Sequence, residues 1–276
     1  MTKILSLTAV LVMTICAFHV NAGELSPEFN HAAGIRQVEI GGMIVWLCLF
    51  AFFLKQSMRE RTLSFWLLLF IGCTTMGIQD TYTAWGGYLL YNTEWTMMPW
   101  GPSKWTSPYK PWNALPAYGY FFTFVFFVMF RLLKKLRTAY PNLGLGTAVL
   151  IVGLPIFYAW DLFVEGASAY SGHYSYVDFV GPAIVTSRGN MPLLYPALLF
   201  VVWGVFALWV LAQRSDDGRV KFESWFPIKN IQNSISRGFA RIAIWILMIN
   251  ALYLFAFTIP IVLIREFFGM HSVLVP

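Results

Sequence analysis

Residues 144–165 read GLGTAVLIVGLPIFYAWDLFVE. No charged residue interrupts the segment before Asp161, and the apolar run at 144–163 has about the 20 residues needed to cross a hydrocarbon core of roughly 30 Å. In lipid every backbone N–H and C=O must be satisfied internally, and the run is far longer than the roughly ten residues of a barrel strand, so it reads as a transmembrane helix. Five more apolar runs recur, at 40–57, 63–82, 117–133, 192–213 and 240–264. Together they predict an all-α fold: a polytopic membrane helix bundle with six transmembrane helices.

Composition agrees with that reading. Of the 276 residues 58% are hydrophobic and only 12% charged, against roughly 25% charged in ordinary soluble domains. The net charge of +6 sits at the ends of the apolar runs rather than along a soluble face, so no nucleic-acid partner is expected. Cys16, Cys48 and Cys73 all fall in apolar segments, which argues against a disulfide framework or a thiolate metal site. His19, His31, His173 and His271 never share a helix at ligand spacing. No metal and no other cofactor is implied.

Residues 1–22 carry Lys3, an apolar stretch from Ile4 to Phe18 and a small-residue ending, VNA. They resemble a cleaved signal peptide; if the segment is retained, it adds a seventh helix. Residues 23–276 then form a single transmembrane domain. Basic residues gather at Lys55, Arg59 and Arg61, at Arg131, Lys134, Lys135 and Arg137, and from Arg214 to Arg241. By the positive-inside rule these loops are cytoplasmic. The loops 80–116 and 165–191 and both mature termini then face outward. A bacterial inner-membrane protein whose polar site faces the periplasm or exterior is the expected setting.

Ionisable groups inside a membrane are costly, so those that persist are candidate functional residues. Asp161 and Glu165 are four apart, on one face of the fourth span, and are expected to point at one volume. At about 1.5 Å per residue from Gly146, Asp161 lies roughly 22 Å across the bilayer. Asp80, at the outward end of the second span, stands at a comparable height. Acids at such ends can simply mark the interface. Two on one face, however, repel unless they are hydrogen-bonded or one holds a proton, and a carboxyl that holds a proton near neutral pH is a general acid. Asn250 lies near mid-membrane, where it either glues helices or touches substrate. Pro192, Pro196 and Pro260 mark the outward ends of the fifth and sixth spans. Trp85, Trp95, Trp100, Trp105 and Trp112 crowd the outward loop, either as an interfacial aromatic belt or as a lid offering π faces to an apolar substrate or developing cation. The loop's prolines favour a built structure.

The ordered motifs in this chain are similar to those of the AveC-like spirocyclase family: D, YN, PWG, SP and P…Y within 80–118, K…YPNLG at 135–144 and D…E at 161 and 165. HYSY at 173–176, MPLLYP at 191–196, DDGR at 216–219 and NALY at 250–253 follow. The resemblance covers roughly residues 63–260. It implies an enzyme, since the family takes its name from a polyketide-pathway membrane protein that closes a spiroketal and can dehydrate it. The expected function is a membrane-embedded, acid-catalysed cyclase or dehydratase acting on an apolar oxygenated substrate such as a polyketide, sterol or lipid. Asp161, Glu165 and Asp80 are the expected catalytic groups, with Tyr91, Asn92, Trp95, Trp100, Tyr176, Tyr195 and Asn250 as substrate contacts. One carboxyl would help water leave a hemiketal while the other stabilises the oxocarbenium ion. The outward site and signal segment depart from what an intracellular polyketide requires, and a lipid-like compound from the bilayer fits the aromatic lining at least as well. A non-catalytic lipid-binding or transport accessory protein is the alternative.

Overall fold

The structure, a computed structural model, describes residues 34–99, 110–268, 272, 274 and 275, without the side chains of Tyr195 and Phe268. The expected signal segment and Trp100 lie outside the described residues. In chain order the elements are α1 (Ile35–Glu60), α2 (Phe65–Met76), α3 (Asp80–Gly86), β1 (Leu89–Tyr91), α4 (Ala114–Ala139), α5 (Leu145–Tyr170), β2 (Tyr174–Tyr176), β3 (Ala183–Val185), β4 (Asn190–Pro192), α6 (Tyr195–Ala212), α7 (Ser234–Tyr253) and α8 (Ile259–Phe268).

The described chain is mostly helical, and all six apolar runs contain helix. Four helices are long and apolar enough to cross a membrane: α1, α4, α5 and the continuous rod Ser234–Phe267. The runs at 63–82 and 192–213 yield the shorter α2 and α6. Ser64 starts α2 by accepting a hydrogen bond from the Leu67 N–H. Gly77 ends it where the chain crosses the start of α4, since a Cβ there would lie 2.9 Å from Leu115 Cα and 3.0 Å from the Ala114 carbonyl oxygen. A turn then leads into α3. In the last rod a π-turn at Leu254–Thr258 joins α7 to α8. It lies just before Pro260, whose ring cannot accommodate the carbonyl four residues back and which donates no N–H.

Small residues set the helix spacing in the core, as expected where lipid removes most of the hydrophobic drive between helices. On α5 and α6 they interlock, Gly153 facing Val205 and Gly204 facing Phe157. Around them Phe122, Phe126, Phe200 and Trp203 pack largely edge to face, with Phe122 and Trp203 ring centres 4.8 Å apart. On Gly204→Ala the new methyl would lie well inside contact distance of Phe157 Cζ. Overpacking of this kind costs about 1–3 kcal/mol, so thermal unfolding in detergent is expected to move down by several degrees. An unchanged midpoint would show that the two helices are free to separate.

The two ends of the bundle differ. At the basic end Arg241 donates twice to Glu223, at 2.9 and 3.1 Å, and the Trp245 indole donates to the same carboxylate at 2.8 Å. This buried pair ties the 214–233 connection to α7. The other end is capped by two short antiparallel ladders. β1 pairs with β2 in the register Leu89 to Tyr176 and Tyr91 to Tyr174, and β3 pairs with β4. These strands are an addition to the expected all-α architecture.

Candidate functional site

Under the cap lies a cavity of about 330 Å³ with a largely apolar, aromatic wall. α3 contributes Asp80 and Thr83, α4 contributes Tyr118, α5 contributes Glu165, and β1 and β2 contribute Tyr91, Tyr174 and Tyr176. Tyr253 and Phe257 reach it from the π-turn region, so the irregularity before Pro260 shapes one wall.

Asp80 is the first residue of α3 and accepts a hydrogen bond from the Thr83 hydroxyl at 2.7 Å. Its carboxylate also forms an ion pair with the Lys110 ammonium. Lys110 is 0% exposed and donates to the Tyr91 hydroxyl. The surrounding backbone holds it there: Met98 N–H donates to the Lys110 carbonyl at 2.7 Å, and Met97 bridges to Pro111. Burial pulls the Lys110 ammonium below the ordinary lysine range, while the neighbouring Asp80 charge opposes that change. Burial, reinforced by Asp80, pushes the Tyr91 phenol well above its ordinary value. Beyond Thr83 the polar wall continues through Tyr253, whose hydroxyl lies 3.0 Å from that of Tyr118.

Glu165 is held from the opposite side. The Tyr176 hydroxyl donates to Glu165 Oε2 at 2.5 Å. Burial first, and the Glu165 charge next, push the Tyr176 phenol well above its ordinary range, so it persists as a donor. Asp161, one turn away, is 1% exposed. Neither of its carboxyl oxygens has a hydrogen-bond partner among the described residues. Glu165 lines the cavity, and Asp161, one turn earlier on α5, is not among the residues that line it.

The expected substrate contacts divide in the same way. Tyr91, Trp95 and Tyr176 line the cavity. Trp95 is 8% exposed and its indole donates to the His173 carbonyl at 2.9 Å, so it is part of a packed cap. Asn92 instead serves that cap, donating to the Gly172 carbonyl at 2.9 Å and accepting from the Glu94 N–H. Asn250 is saturated by helix contacts: it donates to Thr75 Oγ1 at 2.7 Å and to the Ile246 carbonyl, and accepts from Gln79 Nε2 at 2.7 Å. Of its two expected roles the structure gives it helix pairing. The Tyr195 side chain and Trp100 fall outside the described residues.

One comparison bears on what such a site does. The family described as spirocyclase AveC-like matches residues 60–276. The chain belongs to the AveC-like spirocyclase family. No curated protein and no solved structure matches the chain. Membership suggests a cyclase- or dehydratase-type role. The AveC-like region begins within the last turn of α1 and takes in every cavity element from α3 onward. Sequence reasoning passed over several cavity groups in it. Tyr174 and Tyr253 lie inside motifs already quoted, HYSY and NALY. Lys110 gave no signal, because a lysine in an aromatic loop reads as a solvated charge.

Proposed function

We propose that this AveC-like chain is a membrane-embedded cyclase or dehydratase that works by acid–base catalysis on an apolar, oxygenated molecule such as a polyketide, sterol or lipid. One observation carries the reading: two carboxyls with unlike partners, Asp80 with an ammonium and Glu165 with a phenol, line the same aromatic cavity. Carboxyls in unlike environments divide into base and acid. Glu165 gives its proton to the leaving oxygen, the C–O bond breaks, and water departs. Tyr176 stabilises the carboxylate left on Glu165. Asp80 stabilises the oxocarbenium ion, with help from the tyrosine faces. In ring closure a second substrate hydroxyl attacks that carbon and releases its proton to Asp80. In dehydration Asp80 takes the proton from the adjacent carbon instead. Either way the proton returns from Asp80 to Glu165 before the next cycle, and the buried Asp161, one turn away on α5, offers it a second position.

The test starts from the molecule that copurifies with the protein. Extracted and returned to fresh enzyme, it is expected to lose one water, as followed by mass spectrometry. A molecule recovered unchanged after prolonged incubation, with no product detectable, would favour the non-catalytic lipid-binding reading.

The same reading includes topology: six spans in a bacterial inner membrane, residues 1–22 removed, both mature termini outside and the cavity toward the periplasm. The charge distribution among the loops supports it. In a cysteine-free background, a membrane-impermeant thiol reagent is expected to label a cysteine at the exposed Ser187 in intact cells, and one at the exposed Ser224 only after lysis. The reverse pattern would invert the orientation.

A further inference from the structure

At the opposite end of the bundle, the last turns of α4, the first residue of α5 and the C-terminal end of α6 enclose a pocket of about 420 Å³. Three cations line it, Lys134, Arg137 and Arg214, and no acidic residue does. Lys134 and Arg137 stand on one face of α4, both exposed, and neither forms an ion pair among the described residues. Arg214 is anchored by a 3.0 Å hydrogen bond to the Leu211 carbonyl and lies over the Phe65 ring. The Glu223 charge acts on Arg214, but Lys134 and Arg137 have no ion-pair partner among the described residues; like charges brought together repel, so the cluster favours an anion.

The start of α5 adds a second, independent feature. Leu145 opens a 26-residue helix after Gly144, which supplies no side-chain cap. The first N–H groups of a helix have no intrahelical acceptor and carry the positive end of its dipole. A helix N-terminus beside three cations is a phosphate site in both charge and hydrogen bonding. The remaining wall is apolar, with Phe130 and Leu133 beside Leu145.

We infer that this pocket binds the phosphate of an anionic phospholipid headgroup, with an acyl chain lying along the partly exposed Phe130. An apolar wall under a basic rim, at the ends of membrane-length helices, is the arrangement that recognises such headgroups. The inference is independent of the carboxylate cavity and of the reaction there.

In the test, protein purified in a neutral detergent is titrated with phosphatidylglycerol, phosphatidylcholine or inorganic phosphate, and retention is read by native mass spectrometry. Phosphatidylglycerol is expected to be retained in preference to phosphatidylcholine. The double variant Lys134→Gln, Arg137→Gln should weaken that retention about thirtyfold, from two basic groups at the membrane surface. The control Lys55→Gln, Arg59→Gln, at two exposed positions in the last two turns of α1, should leave it unchanged. Both substituted pairs are exposed, and circular dichroism checks that each variant keeps its helix content. Saturation by inorganic phosphate with no preference for phosphatidylglycerol would overturn the lipid assignment. Equal retention of the two lipids, or equal loss in both double variants, would overturn the site itself.

Discussion

Glu165→Gln is expected to lower turnover of the copurified substrate by roughly 10²- to 10⁴-fold, the range associated with losing a positioned general acid. The amide keeps the shape of the carboxyl and can still accept from the Tyr176 hydroxyl, so thermal stability should stay close to the parent's. Asp161→Asn should have a smaller effect on turnover, because Asp161 does not line the cavity. The double variant should cost little more than Glu165→Gln alone, since groups that pass one proton act as a unit. Full activity in Glu165→Gln would remove the acid from the mechanism. Loss of stability without loss of activity per folded molecule would make both α5 carboxyls structural.

Lys110→Met should damage the protein more broadly. It leaves Asp80 beside an apolar side chain where an ammonium stood, and breaking a buried ion pair from one side costs about 3–5 kcal/mol. At roughly 2–4 °C per kcal/mol for a chain of this size class, the unfolding midpoint should fall by about 6–20 °C, and turnover should fall with it. The informative partner is the double variant Lys110→Met, Asp80→Asn. Removing the second charge relieves the uncompensated carboxylate, so stability should largely recover while turnover does not. Recovery of both would show that the pair is only a fastening for the cap, and recovery of neither would show that Lys110 matters for reasons other than Asp80.

How far the site was legible follows from where its residues lie in the chain. Asp161 and Glu165 stand out because a carboxylate is conspicuous in an apolar run. Which of them lines the cavity depends on how α5 is rotated against its neighbours. Trp95 was legible as part of a built lid from the prolines around it. Asn250 has the same look in sequence whether it binds a ligand or a neighbouring helix, and Thr75 on α2 and Gln79 in the turn before α3 decide the matter. Lys110 could not be found locally at all. Its burial is created by Asp80, thirty positions earlier, and by Tyr91 on a strand that pairs with β2.

The sequence by itself determined the membrane character, the helical class, the approximate helix positions and the gathering of acids toward one end of the bundle. These follow from hydropathy and charge, which act residue by residue, because lipid excludes charged side chains and requires each spanning segment to satisfy its own backbone. Only the tertiary structure decided where α2 stops, which acid lines the cavity, that strands cap it and that a lysine lies beneath them. Those outcomes depend on close approach between segments far apart in the chain: Gly77 against Leu115, Gly204 against Phe157, Lys110 against Asp80. Packing distances and charge pairs of that kind are properties of two partners at once, and no local pattern in either partner carries them.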